Sequence, residues 1–326
     1  MRPPYAVSVS TNKDPASRLP WGYHSEKLVR TKTGAHLAGR SNAGNSICVT
    51  NQEGIQEQFN VKIKKQNGII KSAEALGALT DKEIATIEAF RNFAIYSPST
   101  PILRGMSPDT SVKIPVGLYG GGIAEALSEL VKDKNIEELL RFFRLLDWFE
   151  SIGTTVPDEH LQSAFVQTGK RVVSFREKYM QRNFKNLYAY DVSEGALYIL
   201  FALILLTHKK SPTIFALDNI DNALNPGLVT SLIGHIAEIT NKDSNKQLFL
   251  TTHNPTTLDA VNLFNPTHKL YVIERNSENG ATEMRHISPP PNMTQQDWSK
   301  KYGGMKLSEI WLSGGLGGLN PPKSFI

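Results

Sequence analysis

Thr213-Ile214-Phe215-Ala216-Leu217-Asp218-Asn219-Ile220-Asp221-Asn222-Ala223-Leu224-Asn225-Pro226 is the stretch on which the reading of this chain turns. Ile214 to Leu217 are apolar and too few for a helix, so Thr213 to Leu217 reads as a buried strand, and Asp218 closes it. In open α/β sheets ligands gather outside the carboxyl ends of the strands, where the loops leave. A carboxylate there is a candidate functional group. Many α/β proteins end a strand in Asp, however, so the neighbouring stretches must decide.

Downstream, Gly227 to Ile239 reads as a helix, and Gln247 to Thr251 as a second buried strand followed by Thr252-His253-Asn254-Pro255. An imidazole at that edge, one strand over, can donate to a phosphate oxygen near neutral pH. Upstream, Asp191-Val192-Ser193-Glu194-Gly195-Ala196-Leu197 opens a long apolar helix over residues 194–207. Ser193 and Gly195 put a hydroxyl and a bare amide at its N-terminus, where an anion is favoured. Short apolar strands between helices predict a parallel sheet covered on both faces. Val172 to Phe175 and Leu270 to Ile273 read as further strands of this half.

The order of these motifs resembles the ABC-type ATPases of the SMC and OLD (overcoming-lysogenisation-defect) group. It looks most like the small bacterial "AAA family ATPase" proteins, many of them associated with phage defence. Val192-Ser193-Glu194-Gly195 is similar to the family signature, Ile214 to Asp218 to the Walker B strand, Leu224-Asn225-Pro226 to the D-loop, and Thr252-His253-Asn254-Pro255 to the histidine switch. Ile95 to Pro101 with Leu103-Arg104-Gly105, and Lys306 to Leu312, also resemble family members. The resemblance implies an α/β P-loop NTPase core of ABC/SMC type with a mostly parallel sheet, an N-terminal antiparallel β arm and a helical insertion. It implies ATP and Mg²⁺ as cofactors. Asp218 would hold the metal through water, His253 would sense the γ-phosphate, and Ser193, Glu194, Gly195 and Asn225 would face nucleotide. In such ATPases the signature of one subunit completes a site on the other. A homodimer closing around nucleotide is therefore implied, with an effector protein or DNA as further partners.

Two departures stand out. The family has Asp-Glu at the end of the Walker B strand, and this chain has Asp218-Asn219. An amide cannot act as a general base. Asp221 either takes that role or only organises the turn with Asn222. Moreover, no stretch reads GxxxxGK[ST]. Gly39 to Ser46 fits with Asn45 in the lysine position, and Gly34 to Ser41 with Arg40 there. Ser46 leads into Ile47-Cys48-Val49-Thr50, which is strand-like rather than helical, so a β-hairpin accounts better for this region. Two explanations stay open: an N-terminal segment present in relatives is missing here, or the chain is a degenerate subunit that lends its signature face to a partner. Function then divides into an ATP-hydrolysing switch, with antiviral defence as its setting, and a regulatory or scaffold subunit without hydrolysis. A nuclease is disfavoured, because Asp218 and Asp221 lack further separated carboxylates.

The rest of the chain frames this core. Residues 1–72 read as a β-rich arm, 73–160 as a helical insertion and 161–326 as the ATPase lobe. Thr80-Asp81-Lys82-Glu83 is a capping box. Gly120-Gly121-Gly122 before a helix can receive an anion, but it lacks a preceding strand and GxGxxG spacing. The 326 residues suggest about two domains. Hydrophobic content of 40% and charged content of 21% are ordinary for a globular protein. The formal charge of +5 comes without a basic run, since Ile63 interrupts Lys62, Lys64 and Lys65. That pattern reads as a solvated face.

One cysteine, Cys48, excludes an internal disulfide framework and a Cys-based zinc site. It points, with the lack of a signal peptide pattern at Met1 to Val9, to a cytoplasmic protein. The apolar run Ala196 to Leu206 falls short of the ~20 residues of a membrane span, so no membrane partner is expected. His160 and His208 read as solvated helix-end residues, and the four tryptophans as packing residues.

Overall fold

The computed structural model describes residues 5–13, 21–30, 36–41, 44–50, 56–62, 67–111, 113–156, 171–181, 185–243 and 246–316. Lys64, Lys65, His160 and part of each glycine near-miss (Gly34, Ala35, Asn42, Ala43) lie outside them. The chain divides into two compact units, Met1–Arg91 and Asn92–Ile326.

The first unit is an antiparallel meander followed by two helices. Strands β1 (Tyr5–Lys13), β2 (Trp21–Arg30), β3 (His36–Ser41), β4 (Gly44–Thr50) and β5 (Gln56–Asn60) pair in sequence order. Helices α1 (Ile69–Ala75) and α2 (Asp81–Arg91) follow. α1 packs on β3 and β4, and Leu28, Ala38, Ile47, Ile69 and Ala73 form a small core with Ala78 and Leu79. Thr80 caps α2 as the sequence predicts: its amide donates to Glu83 Oε2 at 2.7 Å, and the Glu83 amide to Thr80 Oγ1 at 3.4 Å.

This unit holds the described residues of the two phosphate-loop near-misses. Gly39 and Ser46 are cross-strand partners in the β3–β4 hairpin, and so are Arg40 and Asn45. Neither residue in the lysine position opens a helix. Arg40 is 6% exposed, and its Nε lies 3.1 Å from Glu26 Oε2 while Nη2 donates to Asn67 O at 2.5 Å. Glu26 also accepts from the Ile69 amide at 3.1 Å, which ties the sheet to the start of α1. Arg40 is thus a structural cation. Breaking a buried pair of this kind by removing one partner costs about 3–5 kcal/mol.

The second unit opens with β6 (Ile95–Tyr96) and the short helix α3 (Thr100–Leu103). Helices α4 (Ile123–Lys132) and α5 (Glu137–Phe143) follow, then strands β7 (Phe149–Thr155), β8 (Val172–Glu177) and β9 (Asn186–Tyr188). Helix α6 (Glu194–Thr207), β10 (Ile214–Leu217), α7 (Pro226–Lys242), β11 (Gln247–Leu250) and a 3-10 helix at Pro255–Ala260 carry the motifs. The unit ends with β12 (Leu270–Arg275), β13 (Thr282–Ile287), α8 (Gln295–Lys301) and α9 (Leu307–Leu312).

The core is built around α6. Its side chains from Gly195 to Leu206 are all buried, the pattern of a helix apolar on every side. α3, α4, α5 and α7 pack on it, and with β10 they form one continuous cluster. Trp148, Trp298 and Trp311 are packing residues: Trp148 lies against Phe149 and Phe175, and the other two join the cluster of Val272, Ile287 and Ile310. His208 departs from the solvated reading. It is 3% exposed, with Nε2 3.2 Å from Glu129 and Nδ1 accepting from the Lys210 amide. Burial lowers its pKa against the pull of Glu129.

The sheet is smaller than the sequence suggests. Among the described residues the parallel sheet has three strands, in the order β11-β10-β6. β8 belongs to an antiparallel sheet with β7 and β9, and β12 pairs with β13 as a hairpin. Connection length is the reason. A parallel pair needs a crossover of a dozen or more residues, and the β8–β9 and β12–β13 links are short. The expectation of two covered faces also holds for one face only. The rung Leu217, Tyr96 and Leu250 faces the core, whereas in the rung Ile95–Ala216–Phe249 Ile95 is 59% and Phe249 48% exposed.

Candidate functional site

The carboxyl edge of the parallel sheet gathers three chain segments. Asp218 follows β10, and its amide donates to Tyr96 O at 2.8 Å. Thr251 follows β11, and its hydroxyl donates to Asp218 Oδ1 at 2.5 Å while accepting from the Asn219 amide at 2.9 Å. The Ile220 amide donates to Thr251 O at 3.1 Å. The Walker B turn is thereby stitched to the segment that leads into His253. Thr251, the end of the second strand in the sequence, makes this contact through the register Leu217↔Leu250, which no local pattern specifies.

Asn219 adopts φ +52°, a left-handed conformation in which Asn is enriched among non-glycine residues. Its Nδ2 donates to Asp218 Oδ2 at 3.4 Å. Asp221 is half-buried and its Oδ1 has no hydrogen-bond partner among the described residues. The Asp221 carbonyl accepts from the Leu224 amide at 3.2 Å. His253 is exposed and makes no hydrogen bond among the described residues. Asn254 and Thr252 instead fasten the loop, with Asn254 Oδ1 accepting from the Thr256 amide and Thr252 Oγ1 from the Asn254 amide, both at 3.0 Å.

Ser193 caps α6, its hydroxyl accepting from the Ala196 amide at 3.4 Å. Gly195 is required by packing. A Cβ there would lie 2.7 Å from Ala223 O and 2.9 Å from Leu224 Cδ2, so the turn after β10 rests on the first turn of α6. Asn225 caps α7 by accepting from the Leu228 amide at 3.0 Å, with Pro226 opening the helix. Its side chain is therefore used within the fold. Glu194 accepts from Thr100 Oγ1. Tyr198 OH donates to Pro98 O at 2.7 Å and accepts from Asn222 Nδ2 at 2.9 Å. These groups line an open cleft of about 570 Å³ with Ser97, Ser99 and Tyr119. The sequence carries no local signal for Tyr198 here, Thr100 lies in the family-like run Ile95 to Pro101, and Asn222, expected only as a turn residue, reaches Tyr198 instead.

The glycine run before α4 is filled by the chain's own carboxylate. Asp109 Oδ2 accepts from the Gly121 amide at 3.0 Å and the Tyr119 amide at 3.3 Å, and Oδ1 from the Ser111 amide at 2.8 Å. A Cβ on Gly121 would lie 2.3 Å from Asp109 Cβ. Desolvation raises the Asp109 pKa, but these hydrogen bonds together outweigh it and hold the pKa below the usual carboxylate value.

A metal at the sheet edge would find one protein carboxylate, Asp218. Among the described residues no group of three or more His, Cys, Asp or Glu side chains could hold an ion. Mg²⁺ is commonly bound by one or two carboxylates, with substrate phosphates and water completing its octahedron. The half-exposed Asp218 fits that arrangement. No helix among the described residues is long and apolar enough to cross a membrane.

Comparison with known proteins finds a partial family match. Residues 136–259 match the family described as "AAA domain, putative AbiEii toxin, Type IV TA system". No curated protein matches the chain. The SMC head domain from Thermotoga maritima is similar in structure at 12% identity, over 87% of this chain and 74% of that one, with a TM-score of 0.34. An Smc head domain from Pyrococcus furiosus with an extended coiled coil, bound to the C-terminal domain of ScpA, is similar at 12% identity over 95% and 81%, with a TM-score of 0.38. A structure described as "Structural biochemistry of ATP-driven dimerization and DNA stimulated activation of SMC ATPases" covers 55% of this chain and 90% of its own at 13% identity, with a TM-score of 0.33. At such scores these likenesses carry no weight of their own. The family match runs through Ser193, Asp218 and His253, so this stretch of the chain is similar to that AAA-domain family.

Proposed function

We propose that the chain is a nucleotide-switched ATPase subunit that binds Mg²⁺-ATP at the carboxyl edge of its parallel sheet and dimerises around it. The observation that carries this reading is the Asp218–Thr251 hydrogen bond of 2.5 Å, which holds a half-exposed carboxylate at the ends of two adjacent parallel strands. When bound, Mg²⁺ would supply charge neutralisation for the phosphates. Asp218 would hold it through water, and the exposed His253 is free to donate to a γ-phosphate oxygen. Ser193, Glu194 and Gly195 open a buried helix, and the Glu194 and Gly195 amides precede its first intrahelical bond, while Ser193 takes up the Ala196 amide. They would face the nucleotide of a second copy. Opening and closing of that dimer would act on an effector protein or DNA, with antiviral defence as the setting.

A second reading is a regulatory subunit that binds nucleotide without hydrolysing it. It is favoured by Asn219, whose amide donates to Asp218 where a general base would accept a proton. Asp221 is the remaining candidate base.

The test is Mg²⁺-ATP binding and turnover by the purified chain beside Asp218→Ala and His253→Ala. The switch reading expects binding by the wild type, a loss of at least tenfold in Mg²⁺-dependent affinity in Asp218→Ala, and a turnover defect in His253→Ala with affinity kept. Binding with no turnover supports the regulatory reading. Binding that neither substitution alters would remove the sheet edge as the site.

A further inference from the structure

The segment Ser97–Gly105, between β6 and α4, leaves the sheet beside Asp218 and is fastened to the start of α6 by three side chains. Thr100 Oγ1 donates to Glu194 Oε1, Arg104 Nη2 to Val192 O at 3.3 Å, and Tyr198 OH to Pro98 O at 2.7 Å. Asn222 joins the set through Tyr198 OH, so the turn after β10 is coupled to the same segment.

Arg104 is the informative member. It is partly buried, and among the described residues its Nε has no hydrogen-bond partner and no carboxylate lies within ion-pair distance. It also sits by the N-terminus of α6, the positive end of the helix dipole, where a cation is disfavoured. Glu194, the acid of the first turn of α6, complements that end and accepts from Thr100 Oγ1. α6 does not need Arg104 for its own cap, because Ser193 supplies it. What Arg104 fixes is the carbonyl of the residue just before Ser193, and what Thr100 fixes is the residue just after it.

We propose that Thr100 and Arg104 are positioning residues that clamp Val192 and Glu194 from either side and so set the orientation of the Ser193-Glu194-Gly195 loop. The proposal rests on reading that loop as the nucleotide-facing one. Arg104 itself touches no reacting atom. Its guanidinium acts through the Val192 carbonyl.

Hydrogen exchange of the full chain tests the clamp without nucleotide. In Arg104→Gln and, as a second variant, Thr100→Val, the amides of Ser193–Leu197 should exchange at least ~10-fold faster, while those of Ala202–Leu206 stay unchanged. Arg104→Lys, which keeps a donor for Val192 O, should recover most of the protection. Wild-type exchange at Ser193–Leu197 in both variants overturns the proposal, and so does loosening spread evenly along α6. A second arm separates the clamp from the function it serves. Arg104→Gln and Asp218→Ala, each deficient in turnover alone, should recover activity when mixed, because one composite site then has both elements intact. Local loosening with no recovery would keep the clamp and reject the shared-site reading.

Discussion

The two faces of the three-stranded sheet behave as different materials. On the inner face Tyr96 and Phe215 are fully buried and meet edge to face, with ring centroids 5.8 Å apart, and Phe201 of α6 completes the group. On the outer face the rung Ile95–Ala216–Phe249 leaves both of its large side chains substantially exposed, with Phe93 standing against the Phe249 ring at 6.1 Å. The strands are the same, and alternate residues on them have opposite surroundings. The apolar character that the sequence spreads over both faces is therefore used for stability on only one of them.

The sharpest way to break this comparison is a truncation on each face. Phe215→Ala should cost about 3–5 kcal/mol, since a fully buried ring leaves a cavity beneath α6. Chemical denaturation with an unchanged m-value would measure it. A cost below ~1 kcal/mol would mean that the inner face is not the load it is taken to be.

A pH measurement sharpens the same face. Burial pushes the Tyr96 phenol up to about 12, so the folded state holds that proton more tightly than the unfolded chain does. The stability it contributes is complete below about pH 10, the ordinary phenol value, and is lost as pH rises toward 12. The difference in stability between wild type and Tyr96→Phe should be constant below pH 10 and change above it. A difference that stays flat to pH 12 would contradict the burial of this hydroxyl.

The smallest effect belongs to the outer face. Phe249→Ala should change the stability of the isolated chain by about 1 kcal/mol or less, because much of the ring is already in water. Thermal melts at two protein concentrations would check it. A loss as large as that of Phe215→Ala would show that the outer face is covered in solution.

Much of the site could be read directly from residues. Ser193 before an apolar run, Asp218 ending an apolar strand and Pro226 after Asn225 are local signals. Each reappears as a cap or a strand end. The contacts that organise the site could not be read so. Thr251 reaches Asp218 across a strand pair, Thr100 reaches Glu194 from 94 positions away, and Arg104 reaches Val192 from 88. The glycines carried an ambiguous message. Gly195 is demanded by the approach of Ala223 and Leu224, and Gly121 by Asp109, and neither reason is local in the sequence.

The sequence by itself determined the order of strands and helices around Asp218, the buried character of α6 and the substitution of Asn219 for the expected carboxylate. These follow from hydrophobic runs and single residue types, which act over a few neighbours. Only the tertiary structure decided that Arg40 is spent on Glu26, that β8 and β12 stand outside the parallel sheet, and that one face of that sheet stays half open. Those outcomes depend on which distant surfaces meet. A periodicity of two or 3.6 residues says that a face is apolar, but not what will lie against it.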